Sequence, residues 1–447
     1  MFQREIFILA HNLGDRSFYS KYETVEKNQW RPYDERKIQQ EKQLRCLIAY
    51  SFNQVPYYRS LFKELALRPE DIKTIEDLEK LPVLTKEIIR ANWDALKPAN
   101  LSSMAYSSRA TGGSTGTPMK YRLSSHDRFL GGALLYRGWG FGGYDLGDKM
   151  VFLAGSSLGV KTQHPIVTKV HELVRNVRKF SSYEMGEAEM QQLAGLLTSF
   201  RPLFVRGYPS ALHLFSQWVD QNDVPIPFPE AVFTSAEPLF PHMRKSIGDV
   251  FNCEVFNTYG LHDGGVSAYE CPEHAGLHID TERSILEVVD QDHRQLVEGE
   301  GTILATSLYN YAMPFIRFST DDEGTLIDAE CACGRHSKQL NGVLGRTADI
   351  LVTPEGKNIH GWFFNHLFYA SGHGIKEYQV TQTAIDQLVI KLVLDESFDG
   401  TNLETIKKSI AAKSAGWNVQ FKEVDTINRT RAGKFKFIVN DMVSNAR

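Results

Sequence analysis

The stretch Ala231-Val232-Phe233-Thr234-Ser235 is a near-continuous apolar run that ends in two hydroxyl residues. Two similar apolar runs come before it in the chain, at residues 149–154 and 203–207. Runs of this kind are typical of strands that are buried on both faces of a parallel sheet. Helical patterns lie between the runs, at 188–200 and 210–222. Their alternation predicts an α/β fold built in layers.

Beyond about residue 342 the pattern changes to a short unit of alternating strands and helices. We predict strands at 375–381, 387–394 and 419–424 and a helix at 403–415. Before residue 100 the pattern is helical, charged and interrupted by prolines. The chain of 447 residues is long enough for two domains. We therefore expect a large N-terminal α/β domain of residues 1–345 and a small C-terminal α+β domain of residues 346–447.

The overall composition is that of an ordinary globular protein, with 42% hydrophobic and 23% charged residues. The formal net charge is −4, which gives no reason to expect a nucleic-acid or membrane-surface binder. A bilayer-spanning helix needs about 20 consecutive apolar residues, and we see no such run. The start of the sequence lacks the pattern of a signal peptide. We expect a cytoplasmic protein, and the sequence leaves open whether it forms a homodimer.

The strongest local signal is Thr111-Gly112-Gly113-Ser114-Thr115-Gly116-Thr117-Pro118. Its glycines allow close backbone approach to an anion, and its hydroxyl groups add donors, which suits the polyphosphate of a nucleotide. The motif Gly-Lys-Ser/Thr of a Walker A loop does not follow. Instead the flanking residues predict a strand on each side, hence a flap over phosphates. The alternative interpretation is a flexible surface loop.

Five later segments occur in a fixed order and carry aromatic, acidic or basic side chains. They are Thr234-Ser235-Ala236-Glu237-Pro238, Tyr259-Gly260-Leu261-His262-Asp263, Pro314 to Asp322, Gly345-Arg346-Thr347-Ala348-Asp349 and Asn428 to Lys434. With the loop at 111–118, this series resembles the adenylate-forming enzymes, in their phenylacetate–coenzyme A ligase-like branch. That branch includes CapK-like proteins of capsular polysaccharide biosynthesis. The resemblance covers the chain from about residue 40 to its end.

The resemblance implies a site for ATP and Mg²⁺. Tyr259 would pack on adenine, Asp322 would accept hydrogen bonds from the ribose hydroxyls, and Asp263 would help to hold Mg²⁺. The other residues implied in ATP binding are Thr111, Gly112, Gly113, Ser114, Thr115, Gly116, Thr117, Ser235, Ala236, Glu237, Pro238, Gly260 and Arg346. Within the segment at 259–263 two positions depart from the family pattern, since His262 replaces a hydroxyl residue and Asp263 replaces glutamate. The alternatives are a core tyrosine at 259, a turn aspartate at 263 and a solvated turn at 321–322.

The resemblance also implies that the small domain moves. Lys434 would enter the active site and neutralise the charge that develops between the carboxylate and the α-phosphate, a role that suits a mobile cation. Arg346 would reach the ribose or the phosphates, and Asp349 would be the hinge. The alternatives are a structural ion pair for Arg346 and a solvated basic segment around Lys434.

A zinc site is the second chemical prediction. Cys271 and His278 are followed about fifty residues later by Cys331 and Cys333, and two cysteines with a remote Cys/His pair supply the four ligands of a closed tetrahedral site. The resemblance favours His278 over His274. The site would be structural and would tie an insertion to the large domain. The alternative is unpaired thiols and surface histidines.

The resemblance implies that the substrate is a small carboxylic acid, and it favours an aromatic one. Its pocket would involve residues 206–210 and 258–265, although Pro209 and Ser210 could equally begin a helix. The acyl acceptor implied most often in this branch is the thiol of coenzyme A, and an amine acceptor is the alternative. A non-catalytic ATP-binding scaffold and a zinc-stabilised partner that binds its acid without activating it are two further alternatives.

Overall fold

The computed structural model describes residues 2–111, 119–155, 165–182, 185–346, 350–430 and 434–442. The loop residues 112–118, the predicted hinge residue Asp349 and residues 431–433 lie outside these ranges. Within them the α-helices are α1 Phe2–Gly14, α2 Phe18–Asn28, α3 Tyr33–Gln54, α4 Pro56–Glu64, α5 Lys86–Ala91, α6 Ser125–Gly140, α7 Pro165–Arg175, α8 Glu187–Phe200, α9 Pro209–Gln221, α10 Pro241–Phe251, α11 Gly361–Ser371 and α12 Thr401–Lys413. Short 3₁₀ helices are Pro69–Asp71, Glu76–Lys80 and Leu101–Ser103.

The strands belong to four sheets of very different size. They are β1 Tyr106–Ala110, β2 Lys120–Ser124, β3 Met150–Ala154, β4 Val177–Ser181, β5 Phe204–Gly207, β6 Ala231–Ser235, β7 Glu254–Gly260, β8 Ser267–Glu270, β9 Leu277–Ile279, β10 Ser284–Val289, β11 Gly299–Ser307, β12 Phe318–Ile327, β13 Gln339–Arg346, β14 Ile350–Val352, β15 Asn358–His360, β16 Ile375–Ala384, β17 Gln387–Leu394, β18 Asn418–Glu423 and β19 Ile438–Asn440.

One sheet of eleven strands runs through the large domain in the order β10-β11-β12-β13-β9-β8-β7-β6-β5-β3-β4. The strands from β4 to β7 are parallel, and the rest pair antiparallel. Helices α7 to α10 connect successive parallel strands, as parallel pairing requires. The carboxyl ends of β3, β5, β6 and β7 therefore lie along one edge of the sheet, where ligands bind in open α/β sheets.

The predicted strands at 149–154, 203–207 and 231–235 are β3, β5 and β6, and the predicted α/β class is confirmed. Residues of β5 and β6 are buried throughout, which explains their continuous apolar pattern. The antiparallel half was not predicted. In β12 buried and half-buried residues alternate strictly, so its sequence has the weaker period-two signal.

The prediction of a strand on each side of the loop at residues 111–118 is confirmed. β1 and β2 pair antiparallel, with Ala110 opposite Lys120. At the base of the loop the Thr111 backbone N–H donates to the Met119 carbonyl at 2.9 Å, and the Met119 N–H donates to the Thr111 hydroxyl at 3.0 Å. The Ser124 hydroxyl accepts from the Asp127 backbone N–H and caps α6.

The small unit at the C-terminus has a four-stranded sheet in the order β18-β17-β16-β19. Helices α11 and α12 contribute to its own apolar core, which includes Phe364, Ile406 and Ile410. The predicted elements at 375–381, 387–394, 403–415 and 419–424 are all present to within a few residues. None of the helices in the described ranges is long and apolar enough to cross a bilayer.

Candidate active site and metal centre

Two residues predicted to bind the nucleoside contact each other across the large sheet. The Tyr259 hydroxyl, at the end of β7, donates to Asp322 Oδ2 on β12 at 2.9 Å. Burial and the neighbouring Asp322 carboxylate both raise the pKa of Tyr259, so the phenol remains a donor at neutral pH. Asp322 is buried, so its carboxylate accepts this hydrogen bond away from bulk water. This is the arrangement expected of an aromatic surface for a base beside an acceptor for ribose hydroxyls.

Adjacent Asp321 has a different environment. Its carboxylate pairs with Lys86 Nζ at 2.6 Å, and its φ of +60° turns the backbone locally. Asp322, rather than Asp321, is therefore the aspartate beside Tyr259, as the sequence spacing predicts. Arg346, whose side chain is outside the described atoms, lies directly opposite Asp322 in the β12–β13 ladder.

Glu237 brings three predicted segments together. One of its carboxylate oxygens accepts from the Ser210 backbone N–H at 3.1 Å, and the other accepts from the Phe435 backbone N–H at 2.9 Å. Burial raises the pKa of Glu237, against the opposing effects of these donors and of the Lys434 charge. The predicted adenine segment, the predicted acid segment and the lysine segment thus meet at one carboxylate.

The residues next to Glu237 occupy the turn after β6. Ser235 is the last residue of β6 and is buried, and Ala236 has a φ of +72°. A non-glycine residue with positive φ is uncommon and is typical of turns at functional sites. Pro238 follows in the same turn, and Gly260 is the last residue of neighbouring β7.

Lys434 is positioned by its own loop. The Thr430 backbone N–H donates to the Lys434 carbonyl at 2.9 Å, and the Lys434 N–H donates to the Thr430 hydroxyl at 3.1 Å. Beyond it, the Phe437 ring packs on Phe240 of the large domain with a centroid distance of 5.8 Å. Phe437 also packs against the core of the small unit. The lysine loop is therefore docked on the sheet edge that carries Glu237.

Asp263 lies in the loop after β7, where it is half-buried. Burial raises the pKa of Tyr121, and the Asp263 carboxylate raises it further. Tyr121 belongs to β2, so the base of the predicted phosphate flap is close to the predicted Mg²⁺ ligand. The side chain of His262 is exposed beside it. One carboxylate near a phosphate loop fits the way proteins bind Mg²⁺, together with substrate phosphates and water.

A network of buried ion pairs, which the sequence analysis missed, stabilises the region around β2 and the loop after β7. Arg137 of α6 pairs with Asp280 and, at 3.0 Å, with Glu282. Arg283 pairs with Asp127 at 2.6 Å. These pairs join α6 to the antiparallel half of the sheet. Because the partners are more than a hundred residues apart, no local pattern could have indicated them.

The four predicted metal ligands converge. Ligand atoms of Cys271, His278, Cys331 and Cys333 all lie within 4.8 Å of one another. Cys271 Sγ is 3.6 Å from Cys331 Sγ, and Cys333 Sγ is 3.3 Å from His278 Nε2. With zinc–ligand distances of about 2.0–2.3 Å, tetrahedral coordination requires ligand separations of about 3.3–3.8 Å. The donor set and its spacing therefore fit a structural zinc ion.

The surroundings of the histidine support the same interpretation. His278 Nδ1 contacts the Ser337 hydroxyl at 2.9 Å, which fixes the ring and directs Nε2 toward the thiols. Burial, with nearby Arg335, lowers the pKa of His278 to about 4, so the ring is neutral at pH 7, the form that ligates metal. His274 instead lies 2.8 Å from Glu254.

One expectation about this site was wrong. The four residues do not join an insertion to the large domain, because His278 lies within β9 of the eleven-stranded sheet and Cys271 directly follows β8. Cys331 and Cys333 belong to the connection between β12 and β13. The cluster instead fastens that connection to the middle of the sheet.

We predict that the protein purified without chelator contains about one zinc ion per chain, measured by mass spectrometry of the metal. Cys331→Ser should lose the metal and lower Tm by several degrees, since a closed site loses one of four ligands. Cys46→Ser is the matched control, because Cys46 is exposed and outside the cluster. Equal zinc content in both variants would contradict this assignment.

Comparison with known proteins shows which families and structures this chain resembles. The model of the CapK C-terminal domain matches residues 351–441. A phenylacetate–coenzyme A ligase of Thermus thermophilus is 26% identical over 397 residues, which are 82% of this chain and 83% of that protein. The Escherichia coli phenylacetate–coenzyme A ligase is 26% identical over 377 residues, covering 81% of this chain and 84% of the relative.

Solved structures show the same fold. A 2-hydroxyisobutyryl-CoA ligase in the postadenylation state, in complex with 2-HIB-AMP, matches with a TM-score of 0.74 and 20% identity, covering 94% of this chain and 93% of the other. The same ligase in the thioesterification state matches with a TM-score of 0.60, covering 93% and 91%. The resemblance to phenylacetate–coenzyme A ligases and the predicted two-part fold are confirmed.

Proposed function

We propose that this relative of the phenylacetate–coenzyme A ligases activates a carboxylic acid with ATP and then transfers the acyl group to the thiol of coenzyme A. The observation that carries the proposal is the convergence at one sheet edge of Tyr259 with Asp322 and of Glu237 with the lysine loop. These contacts join segments that are remote in sequence. Each segment carries a group that ATP-dependent acid activation needs.

In the proposed first step a carboxylate oxygen attacks the α-phosphorus of ATP, the bond to the bridging oxygen breaks, and pyrophosphate leaves. Both reactants are anions, so the protein must offset their repulsion and hold them in line. Lys434 supplies positive charge from the docked loop. Asp322 fixes the ribose, and Tyr259 supports the base. Mg²⁺ held by Asp263 would neutralise phosphate charge.

In the proposed second step the thiolate sulfur of coenzyme A attacks the acyl carbon and AMP leaves. The small domain, residues 346–447, would turn about Asp349 relative to residues 1–345 to admit the thiol. The higher TM-score with the postadenylation state supports the view that the conformation described here precedes the second step. The proposal places the reaction in the cytoplasm, where ATP and coenzyme A are available.

Exchange of radiolabelled pyrophosphate into ATP tests the proposal. We expect exchange that depends on an added carboxylic acid, measured across a panel of aromatic and aliphatic acids. Coenzyme A and amino-sugar acceptors are then added to separate thioester from amide formation. ATP binding without exchange for any acid would favour the scaffold instead. Acid binding with neither exchange nor ATP binding would favour the non-activating partner.

A further inference from the structure

Arg206 is a buried cation whose hydrogen-bonding capacity is incompletely used. It is the third residue of β5 and is 8% exposed. Its guanidinium carbon lies 4.9 Å from the centroid of the Trp139 ring and 5.7 Å from that of Phe152. Its Nε is buried without a hydrogen-bond partner, and the described residues form no ion pair with it. A buried charge of this kind is unfavourable unless something pairs with it.

Three other buried arginines of this domain show one way in which the protein neutralises such charges. Arg137 has two carboxylate partners, Arg283 pairs with Asp127 at 2.6 Å, and Arg317 pairs with Glu287 at 3.1 Å. Each of these three is at most 4% exposed. Around Arg206 aromatic rings take the place of a carboxylate, as the Trp93 ring does for buried Arg122, whose guanidinium carbon lies 4.0 Å from the ring centroid. Aromatic rings attract a guanidinium but leave its N–H donors available.

Arg206 lies beside the proposed reaction site, on the face of the sheet opposite to the Lys434 segment. It is the second-last residue of β5, at the carboxyl edge of the parallel strands. Neighbouring residues of a strand point to opposite faces of the sheet. Val205 belongs to the core cluster on which Phe437 of the lysine segment packs, whereas Arg206 contacts Trp139 and Phe152 on the other face.

We infer that Arg206 binds a second anionic group of the acid substrate, a carboxylate in the simplest case, at the end remote from the carboxylate that is adenylated. This inference rests on the proposed function and narrows its substrate class to dicarboxylic or similarly charged acids. A guanidinium binds a carboxylate through two parallel hydrogen bonds, which fixes orientation as well as charge. The Trp139 and Phe152 rings would exclude water from that pair.

The test compares acids that differ by one carboxylate, in the full-length protein and in Arg206→Met. The probes are phenylacetate against 4-carboxyphenylacetate, and butanoate against glutarate. We expect the unmodified protein to prefer the diacid of at least one pair by about 10- to 100-fold in kcat/KM for pyrophosphate exchange. In Arg206→Met the ratio of diacid to monoacid should fall below one. An unchanged ratio, or an equal loss for both acids, would overturn the inference.

A second measurement does not depend on catalysis. Without ligand, Arg206→Met should melt at the same temperature as the unmodified protein or higher, because it removes an uncompensated buried charge. Arg283→Met is the matched control and should melt several degrees lower, because it leaves Asp127 unpaired. A similar drop in Arg206→Met would show a structural role and overturn the inference.

The two measurements also separate this inference from the proposed function. The preferred diacid should raise the Tm of the unmodified protein and not that of Arg206→Met. If that difference is found while no acid supports pyrophosphate exchange, the proposed function fails and the role of Arg206 stands. If exchange occurs with monoacids alone and diacids stabilise neither protein, the proposed function stands and the role of Arg206 is refuted.

Discussion

Lys434→Ala should lower the rate of acyl-adenylate formation by about 100- to 1000-fold, the usual effect of removing one group that stabilises transition-state charge. The Lys434 loop is docked against Glu237 through Phe435, so the lysine charge is already at the sheet edge. ATP binding should change by less than about threefold, because Lys434 acts on charge that develops in the transition state. Pyrophosphate exchange and calorimetric titration with ATP measure the two quantities.

Lys422→Ala is the matched control for this substitution. Lys422 lies on β18 of the same small unit and is exposed, so its loss should leave the exchange rate unchanged. A Lys434→Ala variant that exchanges pyrophosphate at the rate of Lys422→Ala would refute the catalytic role. A comparable loss in both variants would show a general effect of charge on the small unit.

Asp322→Asn should weaken ATP binding by about 100-fold. An ionised acceptor contributes about 1.5 kcal/mol or more for each hydrogen bond, and two ribose hydroxyls would donate to it. The substitution also disturbs the acceptor of the Tyr259 hydroxyl. Calorimetric titration with ATP measures the change in Kd directly, in the absence of an acid substrate.

The neighbouring aspartate provides the control for that experiment. Asp321→Asn removes a negative charge one residue away, but Asp321 pairs with Lys86 at 2.6 Å rather than with Tyr259. Its ATP affinity should stay within about threefold of the unmodified value, as expected for a partly exposed ion pair. Equal losses in the two variants would indicate a general electrostatic effect and would argue against a specific ribose acceptor.

The parallel half of the fold could be predicted because its strands are buried on both faces. The antiparallel half could not, and β12 shows why. Its inward positions include Thr320 and Asp322 as well as Phe318. Placing polar residues on the buried face weakens the apolar alternation from which strands are recognised. One of these polar residues, Asp322, belongs to the candidate site.

The sequence predicted those parts of the candidate site in which side chains carry the chemistry. It missed the part that depends on backbone groups. Tyr259, Asp322 and the metal ligands stand in recognisable spacings, and the structure brings them together. The role of Glu237 as a junction depends on backbone N–H groups of Ser210 and Phe435, which any residue but proline would supply. Arg206 was predicted only as one member of the acid segment at 206–210, because a single charged residue within an apolar run resembles a strand end.

The junction at Glu237 has a consequence for the timing of the reaction cycle. At this point the lysine segment is fastened to the large domain by an N–H donated to a carboxylate and by the packing of Phe437 on Phe240. Reorientation of the small unit would break them together and expose a carboxylate and two rings to water. A substitution that weakens these contacts would speed the movement of the small unit between the two half-reactions. One that strengthens them would make this domain movement the slowest step of each turnover.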